Sequence, residues 1–196
     1  TIAPTAEETI GLAIALMRKL PWGFEAVKRG EWTREKFYGR ELRGRTLGIV
    51  GFGRLGSMVA RYAKCFGMNV LACDPHVSGE IMERAGVQKA TLRQVFKKAD
   101  VVSIHVLLTA ETHGLVKRRH FSDMKNSAYF INTARGELID ERALLDTLSK
   151  KRIAGAALDV LANEDPAGGH ILKNPLVRYA KTHDNLFIVP HLGGAS

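Results

Sequence analysis

Three glycines in the segment "GIVGFGRLGSMVA" constrain the fold of this chain more than any other feature. Gly51, Gly53 and Gly56 have the spacing G-x-G-x-x-G and lie between an apolar run typical of a strand and an amphipathic run typical of a helix. In that context the first glycine permits a tight turn, the second lets a pyrophosphate approach the backbone, and the third lets the helix pack closely on the strand. The sequence therefore predicts a dinucleotide whose pyrophosphate lies at the N-terminus of the helix.

An acidic residue follows these glycines at the distance expected of a ribose ligand. Asp74 ends the apolar run "NVLACD", 18 residues after Gly56 (74 minus 56). A carboxylate at this place accepts hydrogen bonds from ribose hydroxyls and repels a 2′-phosphate, and no basic residue follows immediately in "DPHVSGE". We therefore expect the cofactor to be NAD rather than NADP.

Short apolar runs alternate with longer amphipathic runs along the chain. Runs without period-two alternation indicate strands buried on both faces; they are "TLGIVG" (46–51), "NVLACD" (69–74), "DVVSIHV" (100–106), "AYFINTA" (128–134), "IAGAALDVL" (153–161) and "NLFIVP" (185–190). With helices between them, they predict an α/β fold, a doubly wound parallel sheet of the Rossmann type. We assign residues 45–196 to this dinucleotide-binding domain and residues 1–44 to an inter-domain helix and a polar arm.

The first helical segment carries a start signal and an unusual apolar pattern. Thr5 and Glu8 have the spacing of a reciprocal capping box, which predicts a helix that begins at Thr5. Apolar residues occupy two faces of this helix, so it needs neighbours on two sides. A chain that starts directly on such a helix suggests that a preceding domain is absent.

Composition narrows the class of protein. Lys and Arg number 29 against 20 Asp and Glu, a net charge of +9, which suggests an anionic partner. The basic residues are scattered through helical segments without interleaved aromatics, which disfavours nucleic acid. No tract approaches the roughly 20 apolar residues of a membrane helix, so we expect a cytoplasmic protein with no membrane contact. Cys65 and Cys73 lack metal-ligand spacing, and we expect two buried thiols and no metal site.

An arginine lies where a bound dinucleotide would present its reactive end. Arg135 ends the fourth predicted strand and is followed by Gly136, so it emerges at the carboxyl edge of the sheet, where folds of this kind bind ligands. A planar guanidinium there suits a two-point contact with a carboxylate. The alternative is a surface arginine engaged in an ion pair.

Reduction of a ketone by hydride also requires a proton donor. His191, in "VPHLGG", follows the last predicted strand, and Glu164, in "LDVLANEDP", follows the strand before it. A carboxylate beside an imidazole favours the protonated ring, so the two residues are candidates for an acid–base pair. The other histidines have structural interpretations: His105 ends a buried strand, and the rest lie in apparent loops or on polar helix faces, namely His76, His113, His120, His170 and His183.

Four motifs together resemble a known family. "GFGRLG", "NTARGELIDERAL", "IAGAALDV" and "PHLGG", in this order and at these intervals, are similar to the D-isomer-specific 2-hydroxyacid dehydrogenases, most of all to the phosphoglycerate dehydrogenase branch. The resemblance implies that Arg135 binds the carboxylate and ketone oxygen of the substrate. It also implies that His191 donates or accepts the proton and that Glu164 pairs with His191.

The resemblance implies further cofactor contacts. Asp159 would bind the nicotinamide amide and Asp74 the ribose, while Arg135 and His191 would also border the cofactor. The remaining positions that match the cofactor-contacting backbone of the family are Arg54, Leu55, Val106, Thr133, Ala134 and Gly194. The arm within residues 1–44 would pack against a second subunit, which predicts a homodimer.

The chain departs from the family pattern at three places. "NEDP" offers Asp165 as well as Glu164 for the partner of His191; the interval of 29 residues from Arg135 (164 minus 135) favours Glu164. "HVLLT" lacks a proline that often follows the third strand. The family's substrate domain is absent, so we expect the chain alone to have little catalytic activity. For the same reason the sequence does not identify which 2-hydroxy or 2-keto acid is the substrate. An alternative from another class is a dinucleotide-sensing interaction module, as in corepressor relatives.

Overall fold

The computed structural model describes residues 2–164 and 171–194 of the chain. The strands are β1 (Thr46–Val50), β2 (Asn69–Cys73), β3 (Gln88–Lys89), β4 (Val101–Ile104), β5 (Tyr129–Asn132), β6 (Gly155–Leu158) and β7 (Leu186–Ile188). The α-helices are α1 (Ile2–Met17), α2 (Leu20–Lys28), α3 (Arg54–Cys65), α4 (Gly79–Arg84), α5 (Leu92–Lys98), α6 (Arg118–Asp123), α7 (Glu141–Ser149) and α8 (Pro175–Ala180). Short 3₁₀ turns cover Arg34–Phe37, Gly136–Leu138 and Ile171–Lys173.

The strands form one parallel sheet with the order β3-β2-β1-β4-β5-β6-β7. Two hydrophobic cores lie on its two faces, and neighbouring residues of one strand alternate between them: Phe130 belongs to one core, while Tyr129 and Ile131 belong to the other. Both faces of the sheet are therefore buried, as the continuous apolar runs indicate. The prediction of a doubly wound parallel sheet is confirmed.

Six of the strands end in a single row across the sheet. The last residue of each strand is the register partner of the last residue of its neighbour; in spatial order the row is Cys73, Val50, Ile104, Asn132, Leu158 and Ile188. The segments that follow these residues consequently leave the sheet side by side. This row defines the carboxyl edge at which ligands of open α/β sheets bind.

The strands are shorter than their apolar runs, and one strand was missed. Arg135 does not end a strand: β5 stops at Asn132, and it is the fifth strand along the chain. The extra strand, β3, consists of two exposed polar residues at the edge of the sheet, so no apolar run marks it. Several apolar residues beyond the strand ends, such as Val160 and Leu161, are buried in turns at the carboxyl edge, which explains the overestimate.

The first helix begins before the predicted capping residue. It includes Ile2, so Thr5 lies inside it, and the Thr5 hydroxyl instead donates a hydrogen bond to the Gly193 carbonyl (2.6 Å). Its apolar side chains, such as Ala6 and Leu16, share a core cluster with Leu47 of β1 and Val59 of α3. The helix thus has neighbours on two sides, whereas the division of the chain at residue 44 stays a prediction.

Three side chains have environments other than those expected. Cys65 is exposed and Cys73 is only partly buried, because the first lies on the outer face of α3 and the second at the carboxyl edge; the expectation of two buried thiols was wrong. His120 is buried in α6 rather than on a polar face, where its Nδ1 accepts a hydrogen bond from the Lys117 N–H (2.9 Å). Within the described residues, no helix is both long and apolar enough to cross a membrane.

Candidate functional site

The glycine-rich turn after β1 has the geometry of a phosphate cradle. Gly51 has φ of +93°, and a Cβ atom there would collide with the His105 carbonyl oxygen. A Cβ atom on Gly56 would collide with the Gly51 carbonyl oxygen, so packing requires both glycines. A Cβ atom on Gly53 would meet nothing within 4 Å, and no side chain caps the N-terminus of α3 at this residue. The N–H groups of the first turn, which includes Arg54 and Leu55, are therefore available to an anion.

Asp74 lies directly after β2 and braces this turn. Its Oδ2 accepts a hydrogen bond from the Phe52 N–H (2.8 Å), and its Oδ1 accepts one from the His76 N–H (2.8 Å). Each carboxylate oxygen accepts two hydrogen bonds, so both retain capacity for a ribose hydroxyl. The Asp74 carboxylate, which we predict to bind the ribose, is thus held in one orientation before the cofactor binds.

The turn after β5 directs Arg135 outward. The Asn132 side chain shapes it: Oδ1 accepts from the Ala134 N–H (3.0 Å), and Nδ2 donates to the Arg135 carbonyl (2.8 Å). Arg135 is exposed, and its guanidinium donates only to the neighbouring Ala134 carbonyl (2.6 Å). Within residues 2–164 and 171–194 no carboxylate forms an ion pair with Arg135, which disfavours the alternative of a structural ion pair.

Val106 packs beside Gly51, and the buried Thr133 hydroxyl is paired with that of Thr9 (3.0 Å).

The turns that follow β5 and β6 are locked together. A Cβ atom on Gly136 would collide with the Leu161–Ala162 backbone, so only glycine permits this approach. Glu141, the first residue of α7, accepts a hydrogen bond from the Ala162 N–H (2.7 Å), and burial raises the pKa of its carboxyl. Glu137 accepts from the Asn163 N–H (3.2 Å). Movement of Arg135 is therefore coupled to the segment that carries Glu164.

Glu164 and His191 are joined by a hydrogen bond between their side chains. The His191 Nδ1 and the Glu164 Oε2 are 2.7 Å apart, and the Glu164 Oε1 accepts from the Leu161 N–H (2.8 Å). Because a carboxylate only accepts, Nδ1 carries the hydrogen, and Nε2 is the nitrogen free to exchange a proton. Asp165, the other candidate partner, lies outside the described residues.

The loop that carries His191 is held by Asp159. His191 has φ of +53°, in the left-handed region, and its N–H donates to the Asp159 carbonyl (2.9 Å). The buried Asp159 carboxylate accepts from the N–H of Leu192 (2.5 Å) and of Gly193 (3.0 Å). Gly194, the next residue, is exposed, and a Cβ atom on it would meet nothing within 4 Å. Asp159 thus fixes the loop, and its contact with a nicotinamide amide stays a prediction.

Two further histidines near the strand ends are unsuited to acid–base chemistry. Burial lowers the pKa of His105, which follows β4, to about 3, so its ring is neutral at ordinary pH. Burial also lowers the pKa of His120, and the positive charge of Arg119 lowers it further, by a smaller amount. His191 is the histidine of the described edge that combines exposure with a carboxylate partner.

A cleft of about 1280 Å³ lies between α2 and α8 and reaches Asp159, Glu164 and His191. Its other walls are mostly apolar, including Trp22, Phe24 and residues of β7. The glycine-rich turn and Arg135 are not among the residues that line this cleft, so the cleft does not include the phosphate cradle.

Sequence reasoning missed the residues that support this edge. Glu137 and Glu141 occurred only as unremarked positions of the motif "NTARGELIDERAL", and Gly136 only as the residue that follows Arg135. Each is an ordinary residue for its local structure, and its contact with the 161–163 segment is visible only in three dimensions. The sequence signal that could have found Gly136 is its position directly after a candidate ligand residue.

Comparison with known proteins places the chain in one family. The profile of "D-isomer specific 2-hydroxyacid dehydrogenase, NAD binding domain" matches residues 10–193. The D-3-phosphoglycerate dehydrogenases of Methanocaldococcus jannaschii and Bacillus subtilis are each 41% identical over 192 residues, which cover 97% and 98% of this chain and 35% of each relative. The chain therefore spans about a third of the length of these curated relatives.

A solved structure supports the same assignment. The D-lactate dehydrogenase from Aquifex aeolicus, complexed with NAD and lactic acid, superposes with a TM-score of 0.89 at 32% identity. The match covers 100% of this chain and 61% of that one. The family, the fold and the NAD-binding character predicted from the motifs are confirmed.

The geometry of Asp74 predicts cofactor preference. The chain should bind NADH more tightly than NADPH, and Asp74→Ala should weaken NADH binding on the order of tenfold to a hundredfold, because it removes a charged hydrogen-bond acceptor worth about 1.5–3 kcal/mol. Glu83→Ala, on the exposed face of α4, is the matched control and should leave both affinities unchanged. Calorimetric titration that finds equal affinities for the two cofactors in the unmodified chain would contradict this role.

Proposed function

The chain belongs to the D-isomer-specific 2-hydroxyacid dehydrogenases as their NAD-binding domain, and from this premise we propose that it serves in the NAD-dependent interconversion of a D-2-hydroxy acid and its 2-keto acid. The observation that carries the proposal is the His191–Glu164 pair (2.7 Å) on the same sheet edge as the open glycine cradle. The exposed Arg135 guanidinium lies three residues beyond the end of β5, the neighbour of the strand β6 that precedes Glu164.

The residues of the edge divide the chemistry among them. NAD(H), when bound, supplies the hydride acceptor or donor. The Arg135 guanidinium binds the substrate carboxylate by paired hydrogen bonds and orients the adjacent carbon. The His191 Nε2 takes the hydroxyl proton during oxidation and returns it during ketone reduction. Glu164 holds the hydrogen on Nδ1 and stabilises the imidazolium that forms, so the ring keeps one orientation throughout.

The similarity to the phosphoglycerate dehydrogenases favours a phosphorylated substrate within this class. Both curated relatives reported above are D-3-phosphoglycerate dehydrogenases, and the net charge of +9 suits an anion. We therefore propose 3-phosphoglycerate as the first substrate to test, with glyoxylate, hydroxypyruvate and lactate-like acids as the comparison panel. The dinucleotide-sensing alternative gains no specific observation, since the relatives and the solved structure reported above are dehydrogenases. The cytoplasmic location stays a prediction.

An apolar stripe supports assembly as a homodimer. Leu20, Phe24 and Val27 follow one another at helical spacing on α2, and their exposed fractions are 54%, 65% and 52%. Trp32, just after the helix, is 88% exposed. A contiguous apolar face of this kind is typical of a protein interface. This face lies within residues 1–44, the part of the chain in which the family resemblance predicts an arm that packs against a second subunit.

Charge placed on this stripe should dissociate the dimer. We expect Phe24→Lys to shift the sedimentation coefficient from that of a dimer to that of a monomer, because a lysine in the interface would lose its hydration. Ile81→Lys, at an equally exposed apolar residue of α4, is the control and should stay dimeric. A monomeric unmodified protein, or a dimeric Phe24→Lys variant, would contradict the proposed interface.

The acid–base assignment predicts graded losses in the natural full-length protein. His191→Gln should lower kcat roughly 10²- to 10⁴-fold, the usual contribution of a general acid–base group, with little change in NADH affinity. Glu164→Gln should cost less, because the imidazole remains and only its orientation and charge partner weaken. Stopped-flow measurement of NADH oxidation separates the two effects from binding.

Two controls make this test specific. His183→Gln alters an exposed histidine between α8 and the start of β7, ahead of the strand rather than beyond its carboxyl end, and should leave kcat unchanged. Asp165→Asn addresses the carboxylate that the sequence left open and should have a smaller effect than Glu164→Gln. If the Asp165 variant loses more activity than the Glu164 variant, the partner of His191 during turnover is Asp165.

A further inference from the structure

Helix α1 places a carboxyl group, Glu8, beneath the loop that carries His191. Glu8 lies in the second turn of α1, on the side that faces the end of β6. Both of its carboxylate oxygens are shielded from solvent, and in the described part of the chain neither accepts a hydrogen bond. An ionised carboxylate without a donor is costly to bury, so this arrangement calls for an explanation.

Glu8 and Asp159 approach the same residue, Gly193. A Cβ atom placed on Gly193 would lie 2.5 Å from the Glu8 Oε2 and 3.0 Å from the Asp159 Oδ2, so the two oxygens flank one point. The Gly193 N–H donates to Asp159 (3.0 Å), and its carbonyl accepts from the Thr5 hydroxyl (2.6 Å). Helix α1 and the residue that follows β6 therefore hold Gly193 from two sides, one at its carbonyl and the other at its N–H.

Two neighbouring carboxyl groups out of water do not both ionise. One keeps its proton, as in carboxyl dyads, and that proton becomes the donor that joins the two groups. The Asp159 oxygens already accept two backbone N–H groups, which favours charge on Asp159 and the proton on Glu8. Burial, together with the charge and hydrogen bonding of Asp159, raises the pKa of Glu8 to about 7, while His191 acts in the opposite direction.

We propose that Glu8 is a positioning residue that shares one proton with Asp159, and that this carboxylic acid–carboxylate pair ties helix α1 to the loop that presents His191. The proposal rests on the proposed function in one respect, since His191 matters only as the proton donor of that reaction. No part of the family resemblance assigned a role to Glu8. The pair explains why the shielded carboxyl oxygens of Glu8 have no other hydrogen-bond partner among residues 2–164 and 171–194.

The pair makes the loop sensitive to pH near neutrality. The charged groups that act on Glu8 are Asp159, at the end of β6, and His191, in the loop after β7; α1 meets β5 through the neutral hydroxyls of Thr9 and Thr133. An unfolded glutamate ionises near 4.5, whereas folded Glu8 does so near 7. Between these values the folded state holds the extra proton, so stability falls as pH rises through that window and stays lower above it.

The test follows the loop itself and needs neither cofactor nor substrate. The backbone amide signals of Leu192 and Gly193 are recorded by NMR from pH 5 to 9 in the 196-residue chain carrying His191→Gln, which removes the titration of the imidazole. We expect both amides, the donors to Asp159, to shift with a midpoint at or above pH 7, because this variant also removes the effect by which His191 lowers the pKa of Glu8. Adding Glu8→Gln should abolish the shift, because the glutamine amide donates to Asp159 at every pH.

The adjacent exposed residue supplies the matched control. Glu7→Gln removes one carboxyl from the same turn of α1 and should leave the midpoint unchanged. The proposal is overturned if the amides do not titrate between pH 5 and 9, or if they titrate equally with Glu8→Gln. Should Glu8→Gln fail to fold, the ¹³C signal of the Glu8 carboxyl in the unmodified chain decides: a midpoint near 7 supports the pair, and one near 4.5 overturns it.

This readout separates the two proposals. A chain that shows the titration but whose natural protein lacks dehydrogenase activity refutes the proposed function and retains the carboxyl pair. If the natural protein has dehydrogenase activity but the two amides do not titrate, the carboxyl pair is refuted and the proposed function is retained.

Discussion

Six parallel strands end in one row, and every residue of the candidate site takes its place from that row. Gly51, Asp74 and Asp159 are the residues directly after β1, β2 and β6, and Arg135 and His191 follow β5 and β7 by three positions. A shift of one residue in any pairing would reverse the faces of that strand and remove its core side chains from burial. The hydrophobic cores therefore fix the register, and the register brings cofactor cradle, guanidinium and imidazole to one edge.

The segments beyond the row are held by carboxylates that accept backbone N–H groups, in addition to apolar packing. Asp159 accepts two backbone N–H groups, and hydrogen bonds to a charged group contribute about 1.5–3 kcal/mol each. The left-handed conformation of His191 costs on the order of 1–3 kcal/mol, so the two bonds together offset that strain. Glu141 and Glu137 act in the same way on the segment before Glu164. The imidazole and its partner are thus held by separate carboxylates, and the two side chains meet in one hydrogen bond.

The sequence predicts most of the architecture because its strongest signals are local. The continuous apolar runs identify the parallel sheet, which is confirmed. The glycine spacing identifies the tight turn after β1, and the contact of that turn with the cofactor stays a prediction. The start of α1 was wrong because Thr5 bonds to Gly193, nearly the whole chain away, instead of capping its own helix. Strand β3 was missed because two exposed polar residues carry no hydrophobic pattern. Glu8 could not be predicted as a site residue, because its neighbours Asp159 and Gly193 come from the far end of the sequence. The catalytic roles that the motifs suggest for Arg135, Glu164 and His191 are proposals that the geometry supports.

The central claim is that one sheet edge joins the dinucleotide to the His191–Glu164 pair and to Arg135. A crystal structure of the protein with NADH measures this directly. The account predicts the pyrophosphate at the N-terminus of α3 over Gly53, a ribose hydroxyl on Asp74, and the nicotinamide ring at the β5–β7 end of the edge, between Arg135 and His191. A dinucleotide bound in the reverse direction, or a nicotinamide ring beyond the reach of both side chains, would contradict it.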